Sequence, residues 1–119
     1  VSAVTSDITS QAPSEVFDVA VLRSLIQVLS PDQAARAIKN VGKCIRAGGE
    51  IYILGYVLDQ ARASPWEAAA WDVAFINIYD AGQSYTDQEY REWLQAAGFG
   101  RIERQLMGNN MSLITARKA

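Results

Sequence analysis

Residues 17–58, FDVAVLRSLIQVLSPDQAARAIKNVGKCIRAGGEIYILGYVL, carry the pattern that decides the fold. The first six, FDVAVL, are a short apolar run dense in valine, following the polar stretch 10–15. Such a run predicts a strand buried on both faces, as in a parallel sheet. SPDQAARAIKNVGKCIRAGG then reads as a helix with both ends marked. Ser30 is the expected N-cap, Pro31 suits the first helical position, and Gln33 completes a capping box. Ala34, Ala37, Ile38, Val41 and Ile45 share one face at helical spacing. Arg46 suits the negative end of the helix dipole, and Gly48-Gly49 is expected to stop the helix. Residues 50–58, EIYILGYVL, are again almost continuously apolar and predict a second buried strand. Strand, amphipathic helix and strand make a right-handed βαβ unit. An α/β fold follows, with ligands expected outside the carboxyl ends of the strands.

Working outward, 119 residues support one domain. Half of them are hydrophobic, so a core is available. Eleven basic residues against thirteen acidic ones give a net charge of −2, with the signs interspersed. That argues against nucleic acid as a partner, because phosphate binding needs a concentrated basic face. No apolar run reaches the roughly 18 residues that span a bilayer. Residues 1–14 lack the basic end and apolar stretch of a signal peptide, so a soluble cytoplasmic protein is expected. The single cysteine, Cys44, cannot form an internal disulfide and reads as a buried thiol in a helical pattern. The chain has no histidine. A Ser-His-Asp triad, a His-Cys pair and a histidine-bearing zinc site are therefore excluded within it.

Downstream, Ser64, Pro65 and Glu67 mark a helix start, and the helix expected to run to about Tyr79 is unusually apolar, with Trp66, Trp71, Val73, Phe75, Ile76 and Ile78. It either packs beneath a partner or lines a pocket. Thr86 and Glu89 form a further capping box, opening a helix that ends at Ala97-Gly98. Residues 100–107 and 111–117 are rich in β-formers, and Gly108-Asn109-Asn110 between them predicts a hairpin. No internal repeat or low-complexity tract interrupts the chain.

The order and several local motifs resemble the last half to two-thirds of a class I S-adenosylmethionine-dependent methyltransferase, a Rossmann-like fold whose parallel strands end in an antiparallel hairpin. The similarity is to the small-molecule O-methyltransferases, both plant-caffeate-type and bacterial. It is carried by FDVAVLRSLIQVLSPDQAARAIKNV, AGGEIYILGYVLD, FINIYDAGQSYTDQEYREWLQAAGF and MSLITARK. The resemblance implies that residues 1–119 are a partial methyltransferase domain whose parent binds S-adenosylmethionine, and that the chain alone binds it weakly or not at all. The family's GxGxG loop has no counterpart here. Gly48-Gly49 follows a helix and precedes a strand, whereas a cofactor-cradling loop follows a strand and opens a helix.

Residue by residue, the resemblance sets Asp7, with Ile8 beside it, where the family's aspartate accepts from the adenine amino group. A solvated turn aspartate is the alternative. Arg23, just past the first strand, corresponds to a basic residue beside the adenosine, or else to a surface ion pair. The family's histidine base corresponds to Gln27, and Ile26 beside it to an acceptor-contacting position. The acidic residues that orient that base correspond to Gly55 and Ser84. Glutamine cannot act as a base, although it can orient an acceptor oxygen. Trp71, Phe75 and Tyr79 fall on one face of the apolar helix where the family contacts its acceptor, with core packing as the alternative for Trp71 and Phe75. Two functions stay open: methyl transfer to a small-molecule acceptor by the parent, or a non-catalytic binding or self-assembling module. A homo-oligomer is expected, through the open sheet edge.

Overall fold

The computed structural model describes residues 3–58, 85–107 and 111–119. Strand β1 (Phe17–Arg23) runs into a single 3₁₀ turn (Ile26–Val28), helix α1 (Pro31–Lys43) and strand β2 (Ile45–Gly55). The short strands β3 (Val57–Leu58) and β4 (Tyr85–Thr86) pair parallel to each other. Helix α2 (Asp87–Ala96) and strands β5 (Phe99–Leu106) and β6 (Ser112–Lys118) complete the described order. The main sheet has the order β1-β2-β6-β5, with β1 and β2 parallel and β6 antiparallel to both of its neighbours. This is the expected α/β arrangement of parallel strands closed by an antiparallel hairpin. Residues 108–110, the expected turn, lie outside the described residues, as does the whole apolar helix expected within 64–79.

Of the expected capped helix starts, that at Ser64 lies outside the described residues, and the other two are formed as capping boxes. The Ser30 side chain accepts from the Gln33 backbone N–H at 3.2 Å, and the Gln33 side chain accepts from the Ser30 N–H at 3.0 Å. Thr86 and Glu89 repeat the exchange at 3.2 and 3.1 Å at the start of α2. Each satisfies two backbone donors that a helix start would otherwise leave without partners.

Strand alternation gives the sheet two unlike faces. Leu22, Ile51, Ile53, Ile114, Ala116 and Phe99 point toward α1 and α2 and form one core with Ala34, Ala37, Ile38, Val41, Tyr90 and Leu94. Each large side chain so buried contributes roughly 1.5–3 kcal/mol. On the opposite face of β1, Phe17, Val19 and Val21 are 43%, 48% and 63% exposed. The expectation that β1 is buried on both faces is thus corrected, because both described helices cover the same side.

Two boundaries also differ from expectation. Helix α1 ends at Lys43 with Cys44 as its C-cap, so Ile45 and Arg46 already belong to β2. The helix is stopped by pairing: the Phe17 N–H donates to the Cys44 carbonyl at 2.7 Å, and Phe17 is in register with Ile45. Lys118 donates to the Gly42 carbonyl at the helix end, while Arg46 pairs with Asp18. Gly48-Gly49 lies inside β2, where Gly48 takes φ +81°, and absorbs the three extra residues between the Phe17–Ile45 and Val19–Glu50 pairs. The expected strand over 50–58 is broken after Gly55, and Val57 and Leu58 leave the main sheet to pair with β4.

Candidate functional site at the carboxyl ends of the parallel strands

Beyond Arg23, Ser24 adopts φ +53°, a left-handed conformation that costs a non-glycine residue about 1 kcal/mol or more. Its N–H still donates to the Leu54 carbonyl at 3.0 Å. The chain therefore turns sharply while tied to the end of β2 and enters the 3₁₀ turn. There Val28 and Leu29 donate to the carbonyls of Leu25 and Ile26 at 3.2 and 3.1 Å. The Tyr85 hydroxyl donates to the Leu29 carbonyl and pins the far side of the turn.

This turn presses Ile26 into the core and holds Gln27 buried, 6% exposed, at the strand ends. Gln27 lies against Gly55, the last residue of β2. A β-carbon on Gly55 would stand 2.7 Å from the Gln27 carboxamide oxygen. The two positions that the resemblance equates with a base and its orienting acid are therefore in contact, as an amide and a bare backbone. Ser84 and the expected acceptor wall of Trp71, Phe75 and Tyr79 lie outside the described residues.

Next to Gly55 in register is Ser112, fully buried. Its hydroxyl accepts from Arg104 Nε at 3.0 Å, and Arg104 Nη2 donates to the Val57 carbonyl at 2.9 Å. Arg104 ties β5, β6 and the departing β3 together beneath the site. Nothing in the sequence pattern marked Ser24, Ser112 or Arg104. Arg104 reads locally as a surface residue of a hairpin strand, and only the register of β6 on β2 brings it here.

Arg23 is exposed at the end of β1. By alternation it belongs to the uncovered face with Val19 and Val21, so Arg23 and Gln27 occupy opposite sides of the strand ends. Asp7 lies in an exposed turn, where its carboxylate accepts from the Thr9 N–H at 3.0 Å, the Thr9 hydroxyl at 2.7 Å and the Ser10 hydroxyl at 2.9 Å. These bonds, those of Thr9 first, hold the Asp7 carboxyl below its usual range. Ile8 packs against the core, and its carbonyl accepts from Asn40 Nδ2 at 2.7 Å. An ionised, exposed carboxylate suits an amino donor such as adenine. In contrast, the turn from β1 to α1 reads RSLIQVLS and carries no glycine. Among the described residues, that turn offers no phosphate- or sulfonium-side cradle.

The remaining titratable groups nearby are structural. Burial pushes the Tyr90 hydroxyl far above its usual range, and its ring packs edge-on against Tyr85 and Trp93 with centroids 6.4 and 5.7 Å away. Cys44 is buried, its thiol donates to the Val41 carbonyl at 3.1 Å, and burial raises its pKa, as expected of an inert thiol. A cleft of about 250 Å³ lined by Glu50, Arg101, Glu103, Thr115, Ala116 and Arg117 lies at the amino end of the regular β2 ladder, far along the strand from Gly55. Among the described residues there is no helix long and apolar enough to cross a membrane, and no cluster of potential metal ligands.

Comparison with known proteins bears on the whole arrangement. The O-methyltransferase domain family profile matches residues 1–100. None of the curated protein sequences matches the chain. Among solved structures, an O-methyltransferase family 2 protein from Planctomyces limnophilus in complex with apigenin superposes with a TM-score of 0.86. It is 22% identical, over 96% of this chain and 34% of that one. Human N-acetylserotonin methyltransferase with bound SAM gives 0.85 at 21% identity, over 96% and 32% of the two chains. PigF with SAH gives 0.85 at 20% identity, over 96% and 38%. The chain thus spans about a third of the length of the structures it resembles. With the profile covering most of its residues and the βαβ unit and closing hairpin in place, the chain belongs to the O-methyltransferase domain family.

Proposed function

We propose that the protein of which this chain forms the carboxy-terminal part of the catalytic domain transfers a methyl group from S-adenosylmethionine to a hydroxyl of a small-molecule acceptor. The observation that carries this reading is the buried Gln27 carboxamide at the strand ends, in a chain that belongs to an O-methyltransferase family yet contains no histidine. When bound, S-adenosylmethionine would supply the methyl group on a sulfonium whose sulfur is a neutral leaving group. The sulfonium is already a strong electrophile, so alignment alone can supply several kcal/mol of the barrier. Gln27 orients the acceptor oxygen by hydrogen bonding and takes no proton; the acceptor hydroxyl loses its proton to solvent. Ile26 packs behind it, and Trp71, Phe75 and Tyr79 supply the apolar acceptor wall. Asp7, Ile8 and Arg23 contribute contacts at the adenosine end. The chain alone, without a glycine-rich loop, binds the cofactor weakly or not at all. A cytoplasmic location, with neither nucleic acid nor membrane as partner, belongs to the same reading.

The test is the pH–rate profile of the full-length protein. Gln27→Ala is expected to cost about 1–3 kcal/mol of transition-state stabilisation, the range for losing one buried hydrogen bond. Gln27→His is expected to bring little gain, since Gly55 and Ser84 offer it no carboxylate. Full activity in Gln27→Ala removes the alignment role. A tenfold gain in Gln27→His, with a new limb near neutral pH, shows instead that the site lacked only a base.

A second reading, a non-catalytic or self-assembling module, draws on the uncovered apolar stripe Phe17, Val19 and Val21. Stripes of that kind mark interaction surfaces.

A further inference from the structure

We propose that Gly55 is a positioning residue for the Gln27 carboxamide: its missing side chain is the space in which that amide lies. The inference rests on the alignment role given to Gln27 above and extends it to a residue 28 positions away in sequence. Three observations converge on it. A β-carbon at Gly55 would approach the Gln27 amide oxygen to 2.7 Å and its amide carbon to 3.8 Å, with no other atom of the described residues among its nearest contacts. Gln27 is buried, so its amide cannot swing freely into solvent. The backbone on both sides is fixed, since Ser24 donates to Leu54 and Gly55 is in register with the buried Ser112.

The nature of the contact matters. At Gly42 a β-carbon would meet the Ala97 carbonyl at 2.9 Å, an atom of the backbone. At Gly55 it would meet the end of a flexible side chain. A methyl group there is therefore tolerated by the fold and displaces the amide instead. Positions 27 and 55 are thus coupled by volume. A long amide demands a bare residue at 55, and any side chain at 55 demands a shorter residue at 27.

The experiment compares Gly55→Ala, Gln27→Asn and the double variant in this chain, reading the side-chain amide resonances of residue 27 by ¹⁵N NMR together with thermal unfolding. Gly55→Ala is expected to move or broaden the Gln27 amide pair while lowering Tm by no more than about 5 °C. The double variant, whose carboxamide is one methylene shorter, is expected to regain a single sharp amide pair and the lost Tm. Unmoved Gln27 resonances in Gly55→Ala, or purely additive Tm changes, overturn the proposal. If Gly55→Ala alone fails to fold, folding of the double variant supports the proposal and its failure to fold overturns it. The alignment reading fails separately, through unchanged methyl transfer by Gln27→Ala in the full-length protein, an outcome that leaves the amide resonances untouched.

Discussion

Two carboxylates, the exposed Asp7 and the half-buried Glu50, show how hydrogen bonds tune single residues. The Asp7 carboxyl is held low by Thr9 and Ser10, and that of Glu50 by the Tyr52 hydroxyl first and then by Arg117, whose Nη2 lies 3.1 Å away. The same contact raises the Tyr52 hydroxyl. The folded pKa of each acid lies below its unfolded value, about 3.9 for Asp and 4.3 for Glu. Each therefore contributes stability that is present above the unfolded value and lost as pH falls through the folded one. Asp7→Asn and Glu50→Gln are expected to unfold at lower temperature than the parent chain near neutral pH, with the difference closing below about pH 4. Thermal unfolding from pH 3 to 7 checks this, and a difference independent of pH would show that charge has no part in it. Under the proposed function, the ionised Asp7 would also serve as the acceptor for an adenine amino group. In sequence, Asp7 as a turn residue and as an adenine contact looked alike. The turn is local and follows from SDITS; the second role depends on what lies across from it.

At the scale of elements, Gly42 sets two effects against each other. In an exposed helix interior, Gly→Ala stabilises by about 1 kcal/mol. Here the added methyl would stand 2.9 Å from the Ala97 carbonyl and 3.3 Å from the Phe99 ring, where α1 meets the end of α2. Forcing a group into such a contact costs about 1–3 kcal/mol, so packing outweighs propensity. Gly42→Ala is expected to lose on the order of 1 kcal/mol in urea unfolding, and a gain would mean the two helices part easily. The helix starts were legible in SPDQ and TDQE because a capping box is complete within four residues. The end of α1 was not legible, since Phe17 and Lys118, remote in sequence, decide it. FDVAVL likewise disclosed a strand whose side chains favour burial, but hydropathy carries no information on which elements supply the cover. The Gln27–Gly55 contact was hidden for the same reason. Resemblance singled out both positions, and only the parallel register of β1 on β2 joins them.

At the scale of the molecule, both described helices lie on one face of the sheet, and on the other face no described element is layered. Parallel strands are stable in proteins when both faces are covered. On the uncovered face the β1 end is apolar, with Phe17, Val19 and Val21. The β6 and β5 end is polar, with Thr115, Arg117 and Glu103 and the Glu50–Arg117 ion pair. Among the described strands β1 is also at the sheet's edge, and an open edge beside an apolar stripe favours pairing with another chain. The isolated chain is therefore expected to self-associate through β1. Val21 lies mid-stripe and is largely exposed, so a charge there disturbs the contact without touching the core. Val21→Lys is expected to shift the chain toward monomer in sedimentation velocity while leaving its circular dichroism spectrum unchanged. A parent chain that sediments as a monomer at its highest soluble concentration sinks the idea. An oligomer insensitive to Val21→Lys moves the contact to some other surface. Calorimetric titration of the same samples with S-adenosylmethionine separates assembly from catalysis. A self-associating chain that does not bind the cofactor fits an exposed face with no glycine-rich loop beside it, whereas low-micromolar binding would mean that the described residues hold the cofactor without that loop.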